Sequence, residues 1–170
     1  MKLGFVALAG MATLVLGGCA TVVNGVHQDL AFASDPEGAV VSLSTGQTCT
    51  TPCEYSLRRG NDLRVDFRKD GYKPEFVYVQ SRLAGSTFGN IILGGGIGAV
   101  VDGSNGSSNR LYPNPVSIRL VREGSTDQAV LLDEDGNVIS TVAEYNASVE
   151  TDVLEGMAEH GQIERPAGQD

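Results

Sequence analysis

The chain has 170 residues, a formal net charge of −9, three cysteines, no tryptophan and two histidines, His27 and His160. Two histidines leave few partners for a His-based metal site or a catalytic triad, and nothing in the charge pattern resembles the basic patch of a nucleic-acid-binding protein. The charge is unevenly spread: from Ala20 to Arg122 ten Lys/Arg face nine Asp/Glu, whereas from Glu123 to Asp170 a single Arg165 faces twelve acids. That break predicts a near-neutral folded body followed by an acidic tail, 123–170.

Residues 1–18 begin with one charge, Lys2, and continue as an uncharged apolar run from Leu3 to Leu16. The run is shorter than the roughly 20 residues of a comfortable membrane span. A charged start, an apolar core and small residues at the exit describe a secretory signal peptide. Leu16-Gly17-Gly18-Cys19 resembles the lipobox of bacterial lipoproteins. That resemblance implies cleavage before Cys19 and acylation of its sulfur and new amino terminus. Ala20, in place of an aspartate, points by the same resemblance to the outer membrane of a Gram-negative-type envelope. With Cys19 so used, Cys49 and Cys53 remain as a pair in a compartment where disulfides persist.

Residues 19–28 read as a tether. Leu30 and Phe32 alternate as on a strand. Asp35-Pro36-Glu37-Gly38 is a turn, since Pro presets φ and Gly tolerates positive φ. Ala39–Leu43 is the next strand, and Ser44–Gln47 turns the chain again. Cys49 and Cys53 bracket Thr50-Thr51-Pro52. Their spacing is not the C-x2-C of a redox motif, and no following helix is indicated that would lower a thiol pKa. A structural staple is expected, closing a loop for roughly 2 kcal/mol by the chain-entropy relation.

Glu54–Leu57 is a short strand. In Leu63–Arg68, Leu63, Val65 and Phe67 face one way and Arg64, Asp66 and Arg68 the other, as in a sheet packed on one face and wet on the other. The basic residues from Arg58 to Lys73 invite a phosphate or lipopolysaccharide reading. The interleaved Asp62, Asp66 and Asp70 favour a solvated ion ladder instead. Lys69–Pro74 turns, and Glu75–Gln80 is a strand.

Pro36-Glu37-Gly38-Ala39 spells the name-giving motif of the PEGA module. The following Thr50-Thr51-Pro52, Gly60 and Gly71-Tyr72-Lys73-Pro74 keep that module's order and spacing. Residues 29–80 therefore resemble a PEGA-like domain, and the Cys49/Cys53 pair departs from its pattern. The resemblance implies a small β-sandwich of exported or surface proteins with no catalytic activity attributed to it.

Leu83 to Val101 is a run of 19 uncharged residues holding six glycines. Gly85/Gly89 and Gly94/Gly98 have the small-xxx-small spacing that lets apolar helices pack closely. Three readings stay open: a segment packed on the sheet or mobile, a membrane-surface or oligomerising segment through Gly94 and Gly98, and a span. Ser86, Thr87, Asn90 and the Gly94–Gly96 triplet weigh against the last, since each helical Gly costs about 1 kcal/mol relative to Ala. The run also resembles a segment of bacterial lipoproteins that carry PEGA-like modules. Val116–Leu120 alternates again and would return to close the sheet, making 83–109 an insertion in one domain, 29–122.

In the tail, Ala129–Leu132 and Asn137–Ile139 read as a hairpin. Asp133, Asp135, Asn137 and Glu144 echo an EF-hand loop, but Val138 stands where its glycine is required, so no metal is expected. Val142, Tyr145, Val149, Val153 and Met157 fall on one helical face; the acidic composition leaves the tail partly helical or disordered. The expected fold is mainly β, a small PEGA-like sandwich. No catalytic residue and no cofactor are expected, because no nucleophile–base–orienter set emerges. The expected function is that of a non-enzymatic, lipid-anchored envelope protein presenting a sandwich to a protein or envelope polymer. The alternative is a self-assembling or membrane-contacting component acting through 83–101.

Overall fold

The computed structural model describes residues 25–83 and 109–163. Among these residues ten strands form: β1 (His27–Asp35), β2 (Val40–Leu43), β3 (Thr48–Thr50), β4 (Cys53–Arg58), β5 (Leu63–Arg68), β6 (Glu75–Leu83), β7 (Asn109–Tyr112), β8 (Val116–Arg119), β9 (Val130–Leu132) and β10 (Val138–Thr141). A helix, α1 (Val142–Glu159), follows. The protein is mainly β, with two five-stranded sheets in the orders β10-β9-β8-β1-β4 and β3-β2-β5-β6-β7.

The alternation seen in the sequence is the alternation of burial. Leu30 and Phe32 on one sheet, and Val41, Leu63, Val65, Phe67, Val77 and Val79 on the other, point into a shared core. The chain returns at Val116 as expected, but β8 lies parallel to β1, with Phe32 opposite Val116 and Asp35 opposite Arg119. β7, which begins at the last residue of the stretch 83–109 read as an insertion, pairs with the second half of β6 from Gln80/Tyr112 to Leu83/Asn109. It stops at Tyr112 because Pro113 has no N–H to continue the ladder.

Residues 123–163, expected to trail the body as part of an acidic tail, are built into it. β9 and β10 extend the first sheet, and α1 packs chiefly on β6. Val142, Tyr145, Val149, Val153 and Met157 are all buried. The face with the expected spacing is therefore present, and its apolar area goes into the same core as the strands. Thr141 caps the helix start: its hydroxyl accepts from Glu144 N–H at 3.1 Å, and the Glu144 carboxylate accepts from Thr141 N–H at 3.2 Å. This reciprocal box satisfies donors that a helix start leaves open.

The ion ladder is reduced to one pair on β5. Arg64 holds Asp66 at 2.8 Å and lies 3.9 Å from the Phe76 ring centre. Asp62 is not a solvated partner; it is buried at 8% exposure, because α1 covers it.

Candidate functional site

One end of the sandwich is a set of interlocked turns. Gly38 sits at φ 85°, a left-handed geometry that favours glycine. The turn before it is pinned by the Thr-Thr-Pro segment: the Thr51 hydroxyl accepts from Gly38 N–H at 3.1 Å and Ala39 N–H at 2.9 Å. Ser34 donates its hydroxyl to Pro36 O at 2.8 Å. The Thr51 proton then serves the 2.6 Å bond between the two hydroxyls. Two motifs separated in sequence thus meet because Thr51 supplies the partners that the Pro36–Ala39 turn cannot supply itself.

The Lys69–Pro74 turn joins the same end. Tyr72 bridges to Arg122, Lys73 N–H donates to Val121 O at 2.8 Å, and Glu123 N–H donates to Gly71 O at 3.1 Å. Arg119 pairs with Asp35 at 2.8 Å. Tyr72 separates two open depressions. One, about 620 Å³, is lined by Gly38, Val40, Arg68, Lys69 and Glu123 among others. The other, about 500 Å³, is lined by Pro36, Leu120, Arg122, Val130 and Val138 among others. Val40 and Val138 are 49% and 55% exposed, so each depression carries an apolar lip beside charges of both signs. That mixture matches the general anatomy of protein interfaces, apolar contacts within a polar rim.

The opposite end gathers the start of β1 and the two residues, Leu83 and Asn109, that flank 84–108. Val26 O accepts from Arg59 N–H at 2.8 Å, and His27 O accepts from Arg59 Nε at 2.9 Å. The Gln28 amide bonds the backbone of Leu111 in both directions, at 3.1 and 3.3 Å. Leu83 and Asn109 are paired partners, so the chain leaves and re-enters the sheet at one point. Ser81 stands beside that point, donating to Arg59 O at 2.6 Å and accepting from Asn109 Nδ2 at 2.9 Å.

The α1 side concentrates the buried polar groups. Among the described residues the outer edge of β6 below β7 has no strand partner; there Asn146 takes Tyr78 N–H at 3.0 Å and gives its amide to Phe76 O at 2.8 Å. The Tyr145 hydroxyl donates to Tyr112 O at 3.2 Å, and burial pushes its phenol well above the ordinary value. Arg82 is buried too, which lowers its guanidinium's pKa, while Tyr145 and Asp152 act against that. It donates to Gln80 at 2.6 Å, and Gln80 donates to Asp152 at 3.0 Å, linking β6 to α1. Asp62 accepts from Ser81 N–H at 2.8 Å.

Cys49 and Cys53, expected to pair, have their sulfurs at bonding distance, 2.02 Å. They join β3 to β4, the edge strands of the two sheets. Cys19, residues 1–18, Gly94, Gly98 and the run 84–101 lie outside the described residues. In the Asp133–Asn137 loop, Asp133 accepts from Asp135 N–H, Asn137 N–H and the Asn137 amide, while Glu144 is held by the helix cap. No family model matches the chain, and no curated protein or solved structure was found to match it.

Sequence reasoning passed over Asn146, took Thr51 and Tyr72 only as parts of the module's motifs, and read Asp62 as one rung of a solvated ladder. Gly156 carried a legible signal: it is the one glycine in an otherwise helix-compatible stretch, where it costs about 1 kcal/mol unless something must come close.

Proposed function

We propose that the chain is a non-enzymatic, lipid-anchored envelope protein whose PEGA-like sandwich presents an interaction surface at the end carrying Pro36–Ala39 and Tyr72. Acyl chains on Cys19 hold it to the membrane, and more than one chain is needed for stable anchoring. Ala20 favours the outer membrane. The partner is a protein or an envelope polymer that meets the two depressions beside Tyr72.

The observation that carries this reading is the polarity of β1. The strand begins at His27, within the stretch 19–28 read as a tether, and ends at Asp35, where the interlocked turns start. Its nine residues separate the two ends by about 26 Å. An anchor upstream of His27 therefore leaves the depressions on the far side, turned away from the bilayer. Cys19→Ser is expected to move the protein from membranes into soluble fractions.

A second reading is favoured by one feature. The paired residues Leu83 and Asn109 put both ends of the glycine-rich insertion on the tether side, where Leu83 is 45% exposed. An insertion there is within reach of the same membrane. If Cys19→Ser stays fully on membranes, the acyl anchor is not what holds the protein, and the insertion becomes the membrane contact.

A further inference from the structure

The C-terminal turn of α1 rests on a carboxyl group. The Asp62 side chain lies between the start of β5 and the helix, and its Oδ1 is held by Ser81 N–H at 2.8 Å. Its Oδ2 faces Gly156 so closely that a Cβ built on that glycine would stand 1.9 Å away. The next residues clamp the same spot. His160 N–H and Nδ1 both bond Gly156 O, the latter at 2.7 Å. Gln162 donates to Asp62 O at 3.0 Å and accepts from the Ser44 hydroxyl at 3.1 Å.

We propose that Asp62 is a pH-operated latch on this turn: the neutral acid lets α1 sit down on the sheet, and ionisation lifts the helix end around Gly156. The physical reason is hydration. A carboxylate needs more acceptor contacts than the Ser81 N–H and its own backbone N–H supply, and Oδ2 gains water when the Gly156 face moves away.

The charged and titratable surroundings fit this role. On α1, Asp152 disfavours the carboxylate and His160 favours it; Tyr145 on the same helix also feels the Asp62 charge. On β6, Arg82 has its electrostatic partners in Tyr145, Asp152 and Tyr112. The β6 group that does meet the carboxyl is the Ser81 N–H, and Gln162 beyond the helix is neutral. Burial is the largest influence and holds the Asp62 carboxyl up to about 7, from an ordinary 3.8. A raised carboxyl pKa in the docked state means that the docked state keeps the proton longer. Docking is then strongest at low pH, weakens as pH rises from about 4 to about 7, and changes little above that.

Amide hydrogen exchange across residues 153–160 of the full chain, corrected for intrinsic exchange, reads the latch. The opening constant is expected to rise about tenfold per pH unit below pH 7 and then level off. Asp62→Asn keeps the acceptor for Ser81 N–H and removes the titration, so its opening constant is expected to be flat with pH. Asp152→Asn is expected to keep the rise but end it at lower pH. The same rise in Asp62→Asn, or its loss in Asp152→Asn, overturns the proposal. Should Asp62→Asn not fold, the carboxyl carbon shift of Asp62 in the unaltered chain decides. A midpoint near 7 that coincides with the amide changes supports the latch, and a midpoint near 3.8 overturns it.

Discussion

Along one side of the sandwich the two sheets meet through β3 and β4, joined by Cys49–Cys53, with the Tyr55 hydroxyl donating to Thr48 O at 2.6 Å. Along the other side, α1 closes the gap between β6 and the β9–β10 pair. The first closure is local: its cysteines are four positions apart. The second is assembled from afar, as in the Asn146 contacts with Tyr78 and Phe76, which span 68 and 70 positions. They differ in energy as well. A loop this short yields about 2 kcal/mol, whereas each large apolar side chain that α1 buries contributes roughly 1.5–3 kcal/mol before entropy is counted. They also differ in what is buried, since Asp62 and Arg82 both lie under or beside α1. The covalent side is small; the helical side is larger and carries the buried Asp62, Arg82 and Tyr145.

Substitutions on each side test that ranking. Tyr145→Ala removes a buried ring and its bond to Tyr112 O, and is expected to lower the unfolding free energy in urea by about 3–5 kcal/mol. Asn146→Ala leaves Tyr78 N–H and Phe76 C=O without partners on a covered edge. A loss of about 2–3 kcal/mol is expected, together with faster exchange of the Tyr78 amide. Replacing both Cys49 and Cys53 by Ser is expected to cost least, about 2 kcal/mol, and to leave amide protection in α1 unchanged. A disulfide loss larger than the Tyr145→Ala loss would reverse the ranking. Unprotected α1 amides in the double-serine variant would show that the two sides are coupled.

The strand alternation of Leu63–Arg68 and the helical spacing of Val142 to Met157 were legible because each is a local period set by backbone geometry. The Cys49/Cys53 pair was legible as well, from an odd cysteine count and a lipobox-like leader. The acidic composition after Glu123 misled in one respect. It describes the wet face of α1 and the loops before it, while the apolar face that decides docking is a minority of the residues. β7 was hidden because Asn109–Tyr112 is four residues long between a Gly/Ser/Asn stretch and Pro113, with too few positions to show a period.

Residue order alone therefore specified most of the local elements and the turn residues, since these depend on neighbours within a few positions; β1 starts at His27, inside the stretch read as a tether. The parallel return of β8 beside β1, the meeting of Thr51 with the Pro36–Ala39 turn, the Asn146 cover of β6 and the burial of Asp62 beneath Gly156 came from packing. Each joins groups far apart along the chain, where no local pattern records the partner and the free energy of a shared core selects the pairing.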